Sequence, residues 1–329
     1  MNGKLSSALK IILSSLLAAA LLILAFRGTE WKNFAEGLRS THWGWILMSV
    51  VAAFAALVLR AERWRLQLTV LDRSIGRNVV WHGSNIGNFL SIILPGSGEF
   101  VRCGYVTTEK AKYDKVLGTI IVERLWDIIA VAALFTAALV SNNDVLAPFM
   151  KDHITGPLMD WMAEAPLWAA AVPVMLILTF TITVFIFRDR IPFFSRCAGA
   201  VRGIGTGMKA FLRMDRKTLF LIYTAGIWMM YILMTHFTIL GIRSMESFDF
   251  RDAVFISAVG NIASIIPTPG NLGAYHYLVG LAISNIYLNS TGITDTALLC
   301  ATLSHGTHAL LLIVLGLCSY IWTLHNKKR

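Results

Sequence analysis

The sequence predicts an all-α, polytopic membrane protein with six spanning helices and two inverted re-entrant hairpins, about eight hydrophobic elements in one integral-membrane domain over residues 1–329. Three observations predict this class. The chain is 56% apolar and only 15% charged, and its mean hydropathy is +0.64. Several uncharged windows also reach the length of about 20 residues that a helix needs to cross the hydrocarbon core of a bilayer.

The predicted spans are long stretches with few or no charges. They cover residues 5–26, 40–59, 116–140, 165–187, 218–242 and 296–324. Lys10 interrupts the first span, and the third contains Glu123, Arg124 and Asp127. The loops between the spans do not exceed about thirty residues, which is too short for an independent catalytic domain. We therefore expect the protein to act inside the bilayer.

The loop charges predict the orientation. Lys and Arg accumulate in the cytoplasmic loops of membrane proteins, and residues 60–77 and 188–217 are strongly basic, whereas residues 141–164 and 243–252 are net acidic. The net charge of +10 is therefore a topology signal, and no nucleic-acid partner is expected. The first span has a basic lead without a clean cleavage site, which indicates a retained anchor. We expect a multi-pass protein of the inner (cytoplasmic) membrane with both termini in the cytoplasm.

Two hydrophobic stretches must then enter and leave the membrane by the same face. Residues 78–108 enter from the cytoplasm, and residues 253–290 enter from outside. The first arm of the second stretch covers 14 residues, 253–266. At 1.5 Å per residue this arm is about 21 Å long, too short to span a bilayer. Both stretches are therefore predicted to be re-entrant hairpins.

The two hairpins share a short motif. Gly87-Asn88, Ser91-Ile92-Ile93 and Pro95-Gly96 match Gly260-Asn261, Ser264-Ile265-Ile266 and Pro269-Gly270, with one residue inserted before the second Pro-Gly. A shared motif in segments that enter from opposite faces is typical of an inverted-topology repeat, whose broken helices line a substrate path. Coincidence between two Gly/Ser/Ile-rich stretches is the alternative.

The Pro-Gly breaks are predicted to form the hairpin turns. The turn residues are Pro95, Gly96 and Gly98 in the first hairpin and Pro267, Pro269, Gly270 and Gly273 in the second. Each break would expose helix N–H groups to a cavity, where they favour an anion such as a lipid phosphate. Asn271 is expected to cap the second helix, and Asn88 and Asn261 of the repeated motif are candidate substrate-binding residues.

Charged residues within the predicted membrane segments are the main candidates for the site. Glu99 and Arg102 follow the first break, and Glu123, Arg124 and Asp127 lie about 10 to 16 Å into the third span. Such ions cost about 2.5–3.5 kcal/mol each on insertion scales, so they normally pair or line a pathway. We expect Arg102 to contact the anion and Glu99 to hold Arg102. A structural ion pair that locks two helices is the alternative for both sets.

Two further groups of residues have less specific signals. Arg60 and Arg63, after the second span, either attract a headgroup or snorkel to the interface and set the topology. His305 and His308 are three residues apart on the last span, where a helix contact or cavity lining is favoured over a metal site. Four cysteines without CxxC spacing imply neither a metal site nor a disulfide framework. No cofactor is expected.

The segments LPGSGEFVR, ERLWD and PTPGNLGAYH resemble, in order and spacing, the motifs of the lysylphosphatidylglycerol synthase/flippase transmembrane-region family. The resemblance covers nearly the whole chain. It implies a domain that moves an anionic or aminoacylated lipid, or in some branches a polyisoprenoid-linked or hopanoid lipid, between leaflets. The motif residues fall on Gly98, Glu99 and Arg102, on Glu123, Arg124 and Asp127, and on Pro267, Pro269, Gly270 and Gly273.

The sequence departs from the family pattern at one position. The family commonly carries a glutamate shortly after the last Pro-Gly turn, where this chain has Tyr275-His276. Because a histidine near neutrality changes the charge of the site, His276 implies a substrate different from aminoacyl phosphatidylglycerol. The chain also lacks a soluble synthase domain, so the resemblance implies transport of a lipid that a separate lipid-synthesising enzyme makes.

Three functions remain open at this point. A lipid flippase with membrane lipids as partners is the favoured interpretation, and an ion-coupled secondary transporter of a small soluble solute is the alternative. A membrane-embedded lipid-modifying enzyme, with His276, His305 or His308 as acid/base, is the third. No HExxH, GxSxG or DxD pattern supports the enzyme. No Walker motif is present either, so transport would depend on a gradient or on mass action.

Overall fold

The structure is a computed structural model that describes residues 2–141, 175, 212–288 and 290–326. All regular elements within these residues are helices, which confirms the predicted all-α class. They are α1 (Asn2–Phe26), α2 (Trp31–Arg39), α3 (Trp43–Leu71), α4 (Arg77–Ile93), α5 (Ser97–Val106), α6 (Tyr113–Ser141), α7 (Lys217–Gly241), α8 (Phe250–Ala263), α9 (Ala274–Ala282) and α10 (Asp295–Asn326). The predicted span at 165–187, the acidic loop before it and most of the basic loop after it lie outside the described residues.

Three of the described helices, α3, α7 and α10, are long and apolar enough to cross a membrane. A fourth candidate combines Ile11–Phe26 with α2, and the two parts are bent by 88° at the break between them. Helix α6 has 29 residues, as many as α3, but contains Glu123, Arg124 and Asp127. The described helices therefore form a multi-pass membrane protein, and the count of six spans stays a prediction.

Helix α3 is longer than the sequence analysis predicts. The predicted span ends at residue 59 and a loop follows, whereas the helix continues to Leu71. Ala61, Trp64 and Leu68 are buried along this extension, so one face of it packs against the protein. The prediction of a loop from residue 60 to residue 71 is therefore wrong. A hydropathy window ends at the first arginines even when these arginines have partners inside the protein. Arg60 and Arg63 thus lie inside a packed helix.

The segments α4–α5 and α8–α9 are broken helices at the predicted positions. Helix α5 begins directly after Gly96, whose φ of 76° is in the left-handed region that glycine adopts without steric cost. In the second segment, a 3₁₀ turn at Pro269–Asn271 separates α8 from α9. The prediction that Asn271 caps the second helix is wrong, because Gly273 is the residue before α9 and no side chain caps it.

Helix α10 packs against both broken segments. Asn85 Nδ2 on α4 donates to Ser319 Oγ at 3.3 Å, and the Tyr275 hydroxyl on α9 lies 3.1 Å from Ser304 Oγ. The two breaks also meet, since a Cβ at Gly270 would lie 3.0 Å from Ile92 Cγ2. The tips of the two broken segments therefore lie side by side against one long helix.

Asp72 ties the end of α3 to the turn between α5 and α6. Its carboxylate accepts hydrogen bonds from the Thr108 hydroxyl at 2.7 Å and from the Ser74 N–H and hydroxyl at 2.9 and 2.7 Å. The Thr108 hydrogen bond, followed by those from Ser74, lowers the pKa of Asp72 to about 2, because all of them favour the charged form. The Asp72 carboxylate therefore stays ionised at neutral pH, where its hydrogen bonds connect the end of α3 to the turn between α5 and α6.

Helices α4 and α5 approach each other most closely at two glycines. A Cβ at Gly98 would overlap Gly87 O and Ser91 Oγ, and a Cβ at Gly87 would lie 2.7 Å from Gly98 O. The backbones can pack this tightly only because both positions lack a side chain. This contact closes the first broken segment into a hairpin.

We predict that Gly98→Ala destabilises the protein, because overpacking of this kind costs about 1–3 kcal/mol. Gly104→Ala on the same helix is the matched control, since nothing lies within 4 Å of a Cβ at that position. Thermal unfolding in detergent, followed by size-exclusion chromatography, should occur at a lower temperature for Gly98→Ala. The control should unfold at the wild-type temperature or slightly above it. Equal unfolding temperatures for the two variants would contradict the close contact of α4 and α5.

Candidate functional site

Three arginines and three carboxylates from α3, α5 and α6 form a closed ring of alternating charges. Around it, Glu99 pairs with Arg102, Arg102 with Glu123, Glu123 with Arg63, Arg63 with Asp127, Asp127 with Arg124, and Arg124 with Glu99. We call these six residues the ion ring. Each member has two partners of opposite charge, and the formal charges of the ring sum to zero. Mutual attraction within the ring therefore offsets the cost of removing these ions from water.

The buried half of the ion ring consists of Arg63, Arg102 and Glu123. Arg63 is fully buried, and Glu123 accepts a hydrogen bond from Arg102 Nη2 at 2.9 Å. Arg63 Nη2 lies 2.9 Å from Asp127 Oδ1. The two atoms form a close ion pair, but their angles are not those of a hydrogen bond. The Arg102 guanidinium also stacks over the Trp64 ring at 4.6 Å. These contacts make Arg102 a link between helices, while its predicted contact with an anion stays a prediction.

The other half of the ion ring, Glu99, Arg124 and Asp127, lines a cavity. Arg102 Nε donates to Glu99 Oε2 at 2.6 Å, so Glu99 joins the two halves. Arg124 pairs with Glu99, but its Nη1 is 3.7 Å from Asp127 Oδ2 and its side chain is 50% exposed. Arg124 is therefore the ring member whose guanidinium is most accessible to a ligand.

The cavity has a volume of about 850 Å³ and lies between the two broken segments. The predicted site residues that line it are Arg60, Asn88, Pro95, Gly96, Glu99, Arg124, Asp127, Asn261, Pro267, Gly270 and Asn271. Part of its wall is apolar, with Ile128, Val131 and Phe135 on α6 and Ile227 on α7. The remaining predicted residues do not line the cavity; they are Arg63, Gly98, Arg102, Glu123, Pro269, Gly273 and His276.

Arg60 brings a surplus positive charge to the cavity. Its Nη1 donates to the Tyr231 hydroxyl at 3.1 Å, and no carboxylate of the described residues forms an ion pair with it. The ion ring and Arg60 together have a formal charge of +1, while the four charged residues that line the cavity, Arg60, Glu99, Arg124 and Asp127, sum to zero. Because no carboxylate of the described residues pairs with Arg60, its guanidinium is the group of this lining that favours an anion.

Tyr231 and Thr268 also line the cavity, and neither is among the residues predicted from the sequence. Tyr231 lies in a long apolar helix, where a tyrosine gives no signal of its own, and its partner Arg60 is far away in the chain. His305 and His308 line the cavity. Cavity lining is one of the two roles that their spacing favours, and a helix contact is the other. His276 is buried, with its ring centroid 5.3 Å from that of His305.

The helices and this site define a multi-pass helical membrane protein with an internal cavity that has both charged and apolar walls. The chain belongs to the family described as the lysylphosphatidylglycerol synthase TM region, whose model matches residues 11–316. The match confirms the family that the motifs resemble. The family ties the protein to lipid synthesis or translocation. No curated protein and no solved structure matches the chain significantly.

We predict that Glu123→Gln destabilises the fold strongly, because it leaves Arg63 and Arg102 buried with incomplete pairing, a change that costs about 3–5 kcal/mol. Glu62→Gln is the control. Glu62 also pairs with two arginines, Arg65 and Arg77, but the Arg77 side chain is 70% exposed, and pairs of this kind contribute about 0–1 kcal/mol.

Unfolding temperatures in detergent at constant pH and salt measure this difference. Glu123→Gln should lower the unfolding temperature by several degrees more than Glu62→Gln does. If the two variants have the same unfolding temperature, the ion ring does not hold α3, α5 and α6 in place.

Proposed function

We propose that the protein is a lipid translocator that moves an anionic lipid between the leaflets of the cytoplasmic membrane. The observation that carries this proposal is the cavity between the two broken segments, which combines a charged wall with an apolar one. Its volume of about 850 Å³ lies within the range of about 300–1,000 Å³ that is common for small-molecule sites. A lipid headgroup fits such a space while the acyl chains stay in the bilayer.

The anionic part of the headgroup is proposed to bind between Arg60 and Arg124. Arg60 has no carboxylate partner among the described residues, and the Arg124 side chain is half exposed. A phosphate can contact both guanidinium groups while Arg124 keeps its ion pair with Glu99. Hydrogen bonds between charged groups are the strong ones, and guanidinium groups suit phosphate oxygens in geometry. Binding therefore does not require the ion ring to open.

The repeated motif supports a path through the membrane. Both breaks line the cavity, and non-helical backbone at membrane depth is tolerated where it borders protein or a wet cavity. We propose that α4–α5 and α8–α9 are re-entrant hairpins from opposite faces, in a protein whose termini are both cytoplasmic. A gradient or mass action would drive the lipid, and a separate lipid-synthesising enzyme would supply it.

The test is translocation in proteoliposomes of lipids that carry a fluorescent nitrobenzoxadiazole label on the acyl chain, which leaves the headgroup intact. Dithionite destroys the label in the outer leaflet only. With wild-type protein and an anionic lipid, quenching should extend well beyond the outer-leaflet fraction. Empty vesicles give the baseline, and a zwitterionic lipid measures the preference for an anion.

We predict that Arg60→Gln slows translocation of the anionic lipid about tenfold or more, because a hydrogen bond to a charged group contributes about 1.5–3 kcal/mol. Arg65→Gln on the same helix is the control, since Arg65 pairs with Glu62 and does not line the cavity. The control should match the wild type. Wild-type quenching equal to that of empty vesicles for every lipid would make the proposal wrong. If Arg60→Gln is folded and translocates the anionic lipid at the wild-type rate, Arg60 does not contact the anion.

A further inference from the structure

A second cavity, of about 700 Å³, lies at the end of α3. It is bordered by the last turns of α3, the turn between α5 and α6, and the residues before α7. It shares no lining residue with the cavity of the candidate site. Its charged lining consists of five basic and two acidic residues, Arg65, Arg73, Lys110, Arg213 and Arg216 against Asp72 and Asp215. We call it the basic cavity.

Most cations of the basic cavity lack a carboxylate partner. Arg65 pairs with Glu62, which does not line the cavity. The other four are exposed and form no ion pair within the described part of the chain; they are Arg73, Lys110, Arg213 and Arg216. Like charges that lie close together repel one another. An anion bound among these side chains would therefore relieve their repulsion.

The two lining carboxylates leave the basic cavity with a formal charge of +3. The Asp72 carboxylate is buried and already accepts hydrogen bonds from the Thr108 hydroxyl and from the N–H and hydroxyl of Ser74. Asp215 is exposed and forms no ion pair with a described residue. Neither carboxylate therefore neutralises the four exposed cations.

The N-terminus of α7 adds backbone donors to the same cavity. Arg216 directly precedes this 25-residue helix and lines the cavity, and no side chain caps the helix there. The first N–H groups of a helix have no partner within it, and the helix dipole makes this end positive. Phosphate groups commonly bind at such helix ends. The helix end and the basic side chains thus favour the same kind of ligand.

Part of the lining of the basic cavity is apolar. Leu66 and Met214 line it, and both are buried in a cluster with Phe220. The volume of about 700 Å³ lies within the range of about 300–1,000 Å³ that is common for small-molecule sites. The basic cavity therefore has room for an organic group attached to the anion.

We propose that the basic cavity binds a phosphate-bearing anion with more than one negative charge, as in a phosphate monoester or a diphosphate. Guanidinium groups suit phosphate oxygens in geometry. A monoester carries about −1.5 to −2 charges at neutral pH, so it balances more of the formal charge of +3 than a singly charged diester does. In the orientation predicted from the loop charges, the cavity opens to the cytoplasm. The anion is then a soluble organic phosphate or a lipid phosphomonoester of that leaflet.

The position of the basic cavity connects it to the candidate site without depending on translocation. A ligand there contacts the end of α3 and the start of α7. The same two helices carry Arg60 and Tyr231, whose hydrogen bond lies at the cavity of the candidate site. Binding in the basic cavity therefore ties together the helices that hold Arg60.

The first experiment measures binding of inorganic pyrophosphate to the 329-residue chain in phosphatidylcholine nanodiscs by isothermal titration calorimetry. Ionic strength is kept low and constant, because salt screens exposed charges. Wild-type protein should show saturable binding at one site. Lys110→Gln should weaken it about fivefold or more, since it removes a charged donor from the lining. Lys112→Gln is the matched control, because Lys112 is also exposed but does not line the cavity.

The second experiment distinguishes the two sources of the anion. Pyrophosphate binding is measured in nanodiscs that contain phosphatidic acid, a lipid phosphomonoester, and in nanodiscs that contain phosphatidylglycerol at equal surface charge. If phosphatidic acid lowers the affinity more than phosphatidylglycerol does, the basic cavity takes the lipid. If the two lipids have the same effect, it takes a soluble phosphate.

Three results would overturn the proposal. Wild-type protein that shows no saturable pyrophosphate binding has no such site. Equal weakening by Lys110→Gln and Lys112→Gln would mean that pyrophosphate responds only to the general surface charge. Loss of binding in Arg60→Gln but not in Lys110→Gln would place the anion in the cavity of the candidate site. Because the readout is binding, each result is independent of whether the protein translocates a lipid.

Discussion

The ion ring is the constraint on which the rest of the structure depends. Six charged side chains share one small volume, and each is tolerable only because two opposite charges flank it. Since the members come from α3, α5 and α6, their pairing fixes α5 against the other two helices. Helix α5 begins directly after Gly96, so the same pairing also fixes the first break at the edge of the cavity. The position of the first break beside the cavity thus follows from charge balance.

The sequence predicts the broken segments well, because their causes are local. Pro-Gly dipeptides interrupt helices wherever they occur, and arm length follows from residue count. The carboxylates of α6 are also visible in the sequence as charges in a long apolar stretch. Arg63 and Tyr231 are not predictable in this way, because their roles depend on partners distant in the chain. The extension of α3 to Leu71 has the same cause, since burial of Arg63 requires the carboxylates that α6 supplies.

The repeated motif breaks a helix on both sides of the cavity, but different side chains follow the two breaks. In the first copy, Glu99 and Arg102 follow the break, and both belong to the ion ring. In the second copy, Tyr275 and His276 follow it, and they pack as aromatic groups against His305 of α10. At the position where the resemblance leads to the expectation of a carboxylate, this chain has the buried imidazole of His276. The two copies therefore share a break and diverge in polarity, which explains why one wall of the cavity is charged and the other neutral.

The order of the ion ring along the chain has a consequence for biogenesis. All six members lie between Arg63 and Asp127, on helices that leave the ribosome before α7 is made. The ring can therefore close while the later helices are still being synthesised. Helices α7 to α10 contribute no member to the ring, so they can dock onto an assembled first half without bringing unpaired ions of the ring across the membrane. The order of the chain thus allows these ions to be neutralised before the second half of the protein is made.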